Sequence, residues 1–166
     1  SVLGTVCGIA GAGVAAPEKN APPNFLFVMV DDLPPDAVFD GRFPFLKLPN
    51  IQRLADEGAV FDQMFVSTSL CGPSRAAILT GAYGHINGVR DNYSKNDPDP
   101  AVPQFPQVLQ QNGYKTALIG KWHMAHTDEP RPGFDYWLSF VGQGVYFDPQ
   151  LNENGTSIKE KGYITD

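Results

Sequence analysis

An α/β fold, with a largely parallel central sheet flanked by helices, follows from three observations on this 166-residue sequence. The run Phe25-Leu26-Phe27-Val28-Met29-Val30 is continuously apolar over strand length, as expected of a central strand covered on both faces. Helix signals closed by glycine recur, ending at Gly58, Gly81 and Gly113. Strand-like and helical stretches alternate, the order that builds parallel βαβ units.

The elements are read in order. Residues 1–16 carry no charge, consist largely of Val, Leu, Ile, Ala and Gly, and end in small residues before Pro17. They read as the apolar part of a secretory signal peptide, truncated because its basic leader is missing, and they are shorter than the ~20 residues a membrane-spanning helix needs. The expectation is export (periplasmic, secreted or lysosomal, depending on source) without a stable membrane anchor; a loose Ala/Gly terminus is the plainer alternative. Residues 17–23 are a linker, and residues 24–166 form one globular portion. Of the two cysteines, Cys7 lies in the signal segment, which leaves Cys71 alone in the presumed mature part and rules out an internal disulfide framework there.

The first strand, residues 25–30, ends in Asp31-Asp32, at the kind of carboxyl end where open α/β sheets gather ligand sites. After a Pro-rich turn region, Asn50 caps a short helix with Ile51, Leu54 and Ala55 on one face and Gly58 as its stop. Residues 60–66 are a second strand. Residues 73–80 are a helix with Pro73 in its first turn and Gly81 beyond its end, placing Cys71 at the amino-terminal mouth. Residues 83–103 read as loop. A helix with Phe105, Val108, Leu109 and Asn112 at helical spacing leads, through Gly113, into a strand at residues 115–119, with Lys121-Trp122-His123 just past its end.

Twelve Lys and Arg against eighteen Asp and Glu leave a net charge of -6, and no basic run offers the footprint that nucleic acid requires. A small anionic substrate remains compatible, because a bound cation and a few placed basic groups reverse the local field.

Asp31 and Asp32 supply hard oxygen ligands suited to calcium or magnesium; the plainer reading is a strand end running into a turn. Successive strand residues face opposite ways, so both bind one ion only if the strand frays there. In Cys71-Gly72-Pro73-Ser74-Arg75, the cysteine feels the helix dipole and Arg75 can share its face. A thiolate nucleophile and an inert buried cysteine both stay open, although a phosphate-cradling loop would need more residues between Cys and Arg. Lys121 and His123 read as polar residues after a strand, or as a cation and a base.

Cys-x-Pro-Ser-Arg followed by Ala76-Ala77-Ile78-Leu79-Thr80-Gly81 resembles the signature of the type I sulfatase family, within the alkaline phosphatase superfamily. The similarity extends to Pro23-Asn24 before the first strand, to Asp31-Asp32, to Pro49-Asn50-Ile51 and to Gly120-Lys121-Trp122-His123, in the family's order. It implies that residues 24–166 are the amino-terminal portion of a sulfatase catalytic domain. The implied chemistry is hydrolysis of sulfate esters by a formylglycine made from Cys71 by a formylglycine-generating enzyme. The implied site has calcium held by Asp31, Asp32 and modified Cys71, with Arg75 holding the formylglycine and Lys121 and His123 at the sulfate. His123 is the candidate base that expels sulfate. His85 and His126 are claimed by no family motif.

Family members run to several hundred residues, and their later part supplies the other calcium ligands and further basic groups at the sulfate. The resemblance therefore implies that residues 1–166 alone are inactive. Gly133-Phe134-Asp135-Tyr136-Trp137, Tyr146-Phe147-Asp148-Pro149 and Asn154-Gly155 look most like the N-acetylglucosamine-6-sulfatase branch, implying sulfated amino sugars of glycosaminoglycans or mucins as substrate. Two rivals are kept. One is a phosphomonoesterase or phosphodiesterase of the same superfamily, which would use Ser or Thr where Cys71 stands. The other is a truncated, non-catalytic carbohydrate-binding fragment.

Overall fold

The computed structural model describes residues 21–38, 41–93 and 96–165. The expected signal segment and residues 17–20 of the linker lie outside the described residues. The chain divides into two units between Phe43 and Pro44.

In the first unit the described residues form one short helix, α1 (Pro35–Val38), and Asp31-Asp32 sit in a turn. The expected strand at residues 25–30 is not formed: the segment carries no regular structure, and Leu26 is 90% exposed. A strand persists through the ladder its neighbour offers. The ladders among the described residues all join residues 117–159.

The second unit opens with α2 (Pro49–Glu57), which ends at Gly58 as expected. Its N-cap position is Leu48 rather than the expected Asn50, because Pro49, whose ring presets a helical φ, takes the first helical position and puts Asn50 inside the first turn. The second expected strand, residues 60–66, is also absent, and Phe61 and Phe65 are exposed, for the same want of a ladder. Next comes α3 (Cys71–Thr80), two residues longer at its start than the sequence suggests, so that Cys71 is its first residue. It stops at Gly81, whose φ of 66° is left-handed and whose N–H donates to Ala77 O. The expected loop at residues 83–103 contains a helical turn, α4 (Gly84–Asn87), closed by Gly88 at φ 85°. Buried Asn87 secures it, donating from Nδ2 to Ala82 O (2.8 Å) and accepting from Val89 N (2.9 Å). Helix α5 is Phe105–Gln111.

The sheet order is β1 (Ala117–Ile119), β2 (Tyr136–Ser139), β3 (Gln150–Glu153) and β4 (Thr156–Lys159). β1 and β2 run parallel, with Leu118 opposite Trp137; β3 and β4 add antiparallel. The α/β architecture is as expected, with a mixed sheet among the described residues. Asn154 (φ 50°) and Gly155 (φ 89°) form the two-residue turn between β3 and β4, the Asn-Gly pattern that favours such hairpins.

The core joins α3 to this sheet. Ala76 and Leu79, three apart on α3, meet Val89, Trp122, Met124 and Trp137, with Leu118 and Phe134 packed against them. Trp122, Phe134 and Trp137 pack edge to face at centroid distances of 5.3–6.2 Å. Trp122 therefore lies inside the core while its neighbours Lys121 and His123 stay half-buried.

Candidate active site

Cys71 is half-buried at the first position of α3, where the helix dipole makes a positive field. Arg75, one turn on, is half-buried too and donates from Nη1 to the Lys121 carbonyl at 2.6 Å. That bond ties α3 to the segment after β1, across a separation of 46 residues. Lys121 Nζ in turn lies 3.5 Å from Cys71 Sγ and 2.6 Å from Gln143 Oε1, to which it donates. Cys71, Arg75 and Lys121 are thus linked through Lys121, whose ammonium stands beside the sulfur and whose carbonyl accepts from Arg75.

His123 reaches the same place through its backbone. Gly72 is buried, and a Cβ built there would stand 3.3 Å from both the His123 carbonyl oxygen and Asn92 Oδ1. A side chain there would crowd both oxygens, so glycine suits the close approach of these segments. His123, Ala125 and His126 all hold left-handed φ values of 53–57°, a conformation that costs energy in non-glycine residues and collects at functional sites. What holds this stretch is its buried anchors. Trp122 Nε1 donates to Asp97 Oδ1 (2.8 Å), Asp97 Oδ2 pairs with Arg131 Nε (2.7 Å), and the Arg131 guanidinium lies over the Trp122 ring.

Four of the expected site residues, Cys71, Arg75, Lys121 and His123, are gathered in the second unit. Asp31 and Asp32 belong to the first unit, exposed, with Asp32 at φ 54°. This turn removes the strand alternation that would have sent their carboxylates to opposite faces. Two adjacent carboxylates suit calcium, though two ligands fall short of the six to eight oxygens it takes. Among the described residues no group of three or more His, Cys, Asp and Glu could hold a metal ion. His85 is exposed and stacks on Tyr83, and His126 is exposed.

Sequence reasoning missed two residues at this site. Gln143, 22 positions from Lys121, carries no local signal. Asn92 accepts from Gly72 N at 2.8 Å across 20 residues, and Asn-Tyr-Ser reads in sequence only as a glycosylation acceptor.

Comparison with known proteins adds to this geometry. A family model described as Sulfatase matches residues 23–165. The chain is 44% identical over 160 residues to an N-acetylglucosamine-6-O-sulfatase of Bacteroides thetaiotaomicron, an alignment spanning 93% of this chain and 28% of that protein. It is 32% identical over 164 residues to an N-acetylgalactosamine-6-sulfatase of Canis lupus familiaris, spanning 90% of this chain and 31% of that one. Among solved structures, one in complex with its substrate D-glucosamine-2-N,6-O-disulfate matches with a TM-score of 0.62 at 47% identity, over 69% of this chain and 23% of that chain. The chain thus spans less than a third of the length of these curated relatives.

Proposed function

The chain belongs to the sulfatase family, and we propose that it carries the nucleophile of a sulfate-ester hydrolase acting on sulfated amino sugars of glycosaminoglycans or mucins. The observation that carries this reading is the 3.5 Å approach of the Lys121 ammonium to Cys71 Sγ at the amino end of α3. The substrate class rests on the two relatives named for 6-sulfated amino sugars and on the solved neighbour bound to a glucosamine disulfate.

In this reading a formylglycine-generating enzyme oxidises Cys71, and the hydrated aldehyde supplies the oxygen nucleophile for sulfur. Lys121, already beside residue 71, binds a sulfate oxygen and offsets charge as the ester bond breaks. Arg75 holds residue 71 from the same helix face, and its bond to the Lys121 carbonyl keeps the two cations in register. His123 takes up the proton whose removal lets sulfate leave, a role suited to imidazole near neutral pH. Asp31 and Asp32 would hold calcium, which supplies positive charge for the sulfate and favours the ionised nucleophile. The protein is exported, as the apolar residues 1–16 suggest.

Intact mass after co-expression with the maturation enzyme tests the first step: conversion lowers the mass by ~18 Da at residue 71. The full-length protein is then assayed with 6-O-sulfated N-acetylglucosamine and with a phosphate monoester. Sulfate release supports the reading. An unmodified thiol, or turnover of the phosphate ester alone, overturns it.

A further inference from the structure

The start of α3 lacks a local cap. Its N-cap position is Leu70, which has no side-chain acceptor, and no side-chain cap is made from there. Of the first N–H groups, Ser74 N donates to Leu70 O (2.9 Å) and Pro73 has none to give. The Gly72 N–H, in a buried residue, is satisfied instead by Asn92 Oδ1 at 2.8 Å. Asn92 is itself set by an Asx turn, in which the neighbouring Asp91 Oδ1 accepts from Tyr93 N (2.8 Å).

We infer that Asn92 is a positioning residue for the nucleophile: by holding the Gly72 N–H it fixes the peptide plane that begins at the Cα of residue 71, against the segment carrying Lys121 and His123. The peptide joining residues 71 and 72 is planar and includes both Cα atoms, so a bond to its N–H constrains rotation at residue 71 directly. The His123 carbonyl closes on the same glycine from another side. Three chain segments therefore meet at one peptide, and the Asn92 bond gives the junction a directional tie. A serine at position 70 could satisfy the same N–H, but it would not tie the helix to the loop at residue 92.

This inference rests on the function proposed above only for its catalytic readout. The test compares Asn92→Leu, which keeps volume and loses the acceptor, with Asn92→Asp, which keeps the acceptor, in the full-length protein. Asn92→Leu is expected to lower kcat for a sulfate ester by about tenfold or more while KM stays within about twofold, and Asn92→Asp to recover most of the loss. Amide exchange at Gly72 rises by about tenfold or more in Asn92→Leu and not in Asn92→Asp, with the amides of Ala77 and Leu79 unchanged. Alkylation of unconverted Cys71 reads the position of residue 71 without any turnover, and its rate changes in Asn92→Leu and returns in Asn92→Asp. Unchanged exchange at Gly72 overturns the inference, as does faster exchange with wild-type kcat and wild-type alkylation. A wild-type protein that hydrolyses no sulfate ester sinks the proposed function alone, and the exchange and alkylation results then decide the role of Asn92.

Discussion

Residues 60–66 and the β1–β2 pair start from similar material and end differently. Both are rich in apolar residues suited to strands, yet Phe65 is 84% exposed while Trp137 is 1% exposed. β2 has a parallel partner on one side, an antiparallel one on the other, and α3 packed over Trp137 through the shared core. Residues 60–66 have no such ladder among the described residues. Apolar composition creates a demand for burial, but a strand forms only where a partner and a covering layer lie within reach. The site follows the same division, since its gathered members all stand on elements that pack around that core.

The contrast is broken if the two aromatic positions respond alike to truncation. Trp137→Ala removes a ring in edge contact with Trp122 and Phe134 and a donor to Asp128 O, and is expected to cost about 3–5 kcal/mol in denaturant unfolding. Phe65→Ala should stay within about 0.5 kcal/mol in the same measurement on residues 1–166. Equal losses would mean that residues 60–66 are covered.

Lys121→Met sharpens the other half of the comparison, because this residue serves the site rather than the core. Its kcat/KM for a sulfate ester should fall by about 100-fold or more while stability changes by under about 1 kcal/mol. A comparable loss of stability would make Lys121 a structural tie.

Gly155→Ala probes the hairpin edge, where φ is 89° but the space for a Cβ is open. The expected cost is about 1 kcal/mol of strain, read as a lower unfolding midpoint with an unchanged fold. No change in midpoint would show that the turn relaxes freely.

The smallest effect is a pH dependence. The Thr116 backbone N–H, then Gln110 and Lys115, hold the Asp135 carboxylate well below its usual range. A depressed folded pKa adds stability that is present above the unfolded value of about 4 and is lost as pH falls below it. Asp135→Asn should therefore flatten the acid limb of stability below about pH 4 and leave the alkaline side unchanged. An acid limb identical to wild type would assign that loss to other carboxylates.

Helices α2, α3 and α5 were legible because their punctuation is local: Pro in or near the first turn and glycine or Asn-Gly at the end act within a few residues. The hairpin turn was legible too, in Asn154-Gly155, and was read only as part of a family pattern. Strands at residues 25–30 and 60–66 were predicted from composition and are not formed, since pairing is not a local property. At the site, the motif from Cys71 to Arg75 was visible because one helical turn joins its ends. The contacts of Lys121 with Cys71 and Gln143, and of Asn92 with Gly72, span 20 to 50 residues and left no periodic trace.

By itself, then, the sequence determined helices α2, α3 and α5, their stops, the cysteine at a helix mouth and the residue types of the site, because propensity, capping and dipole act over one turn. The tertiary structure alone decided that an ammonium stands beside that sulfur, that a distant asparagine caps its helix, and which apolar runs become strands. Those outcomes depend on which segments the core brings together, and chain separation does not encode that distance in space.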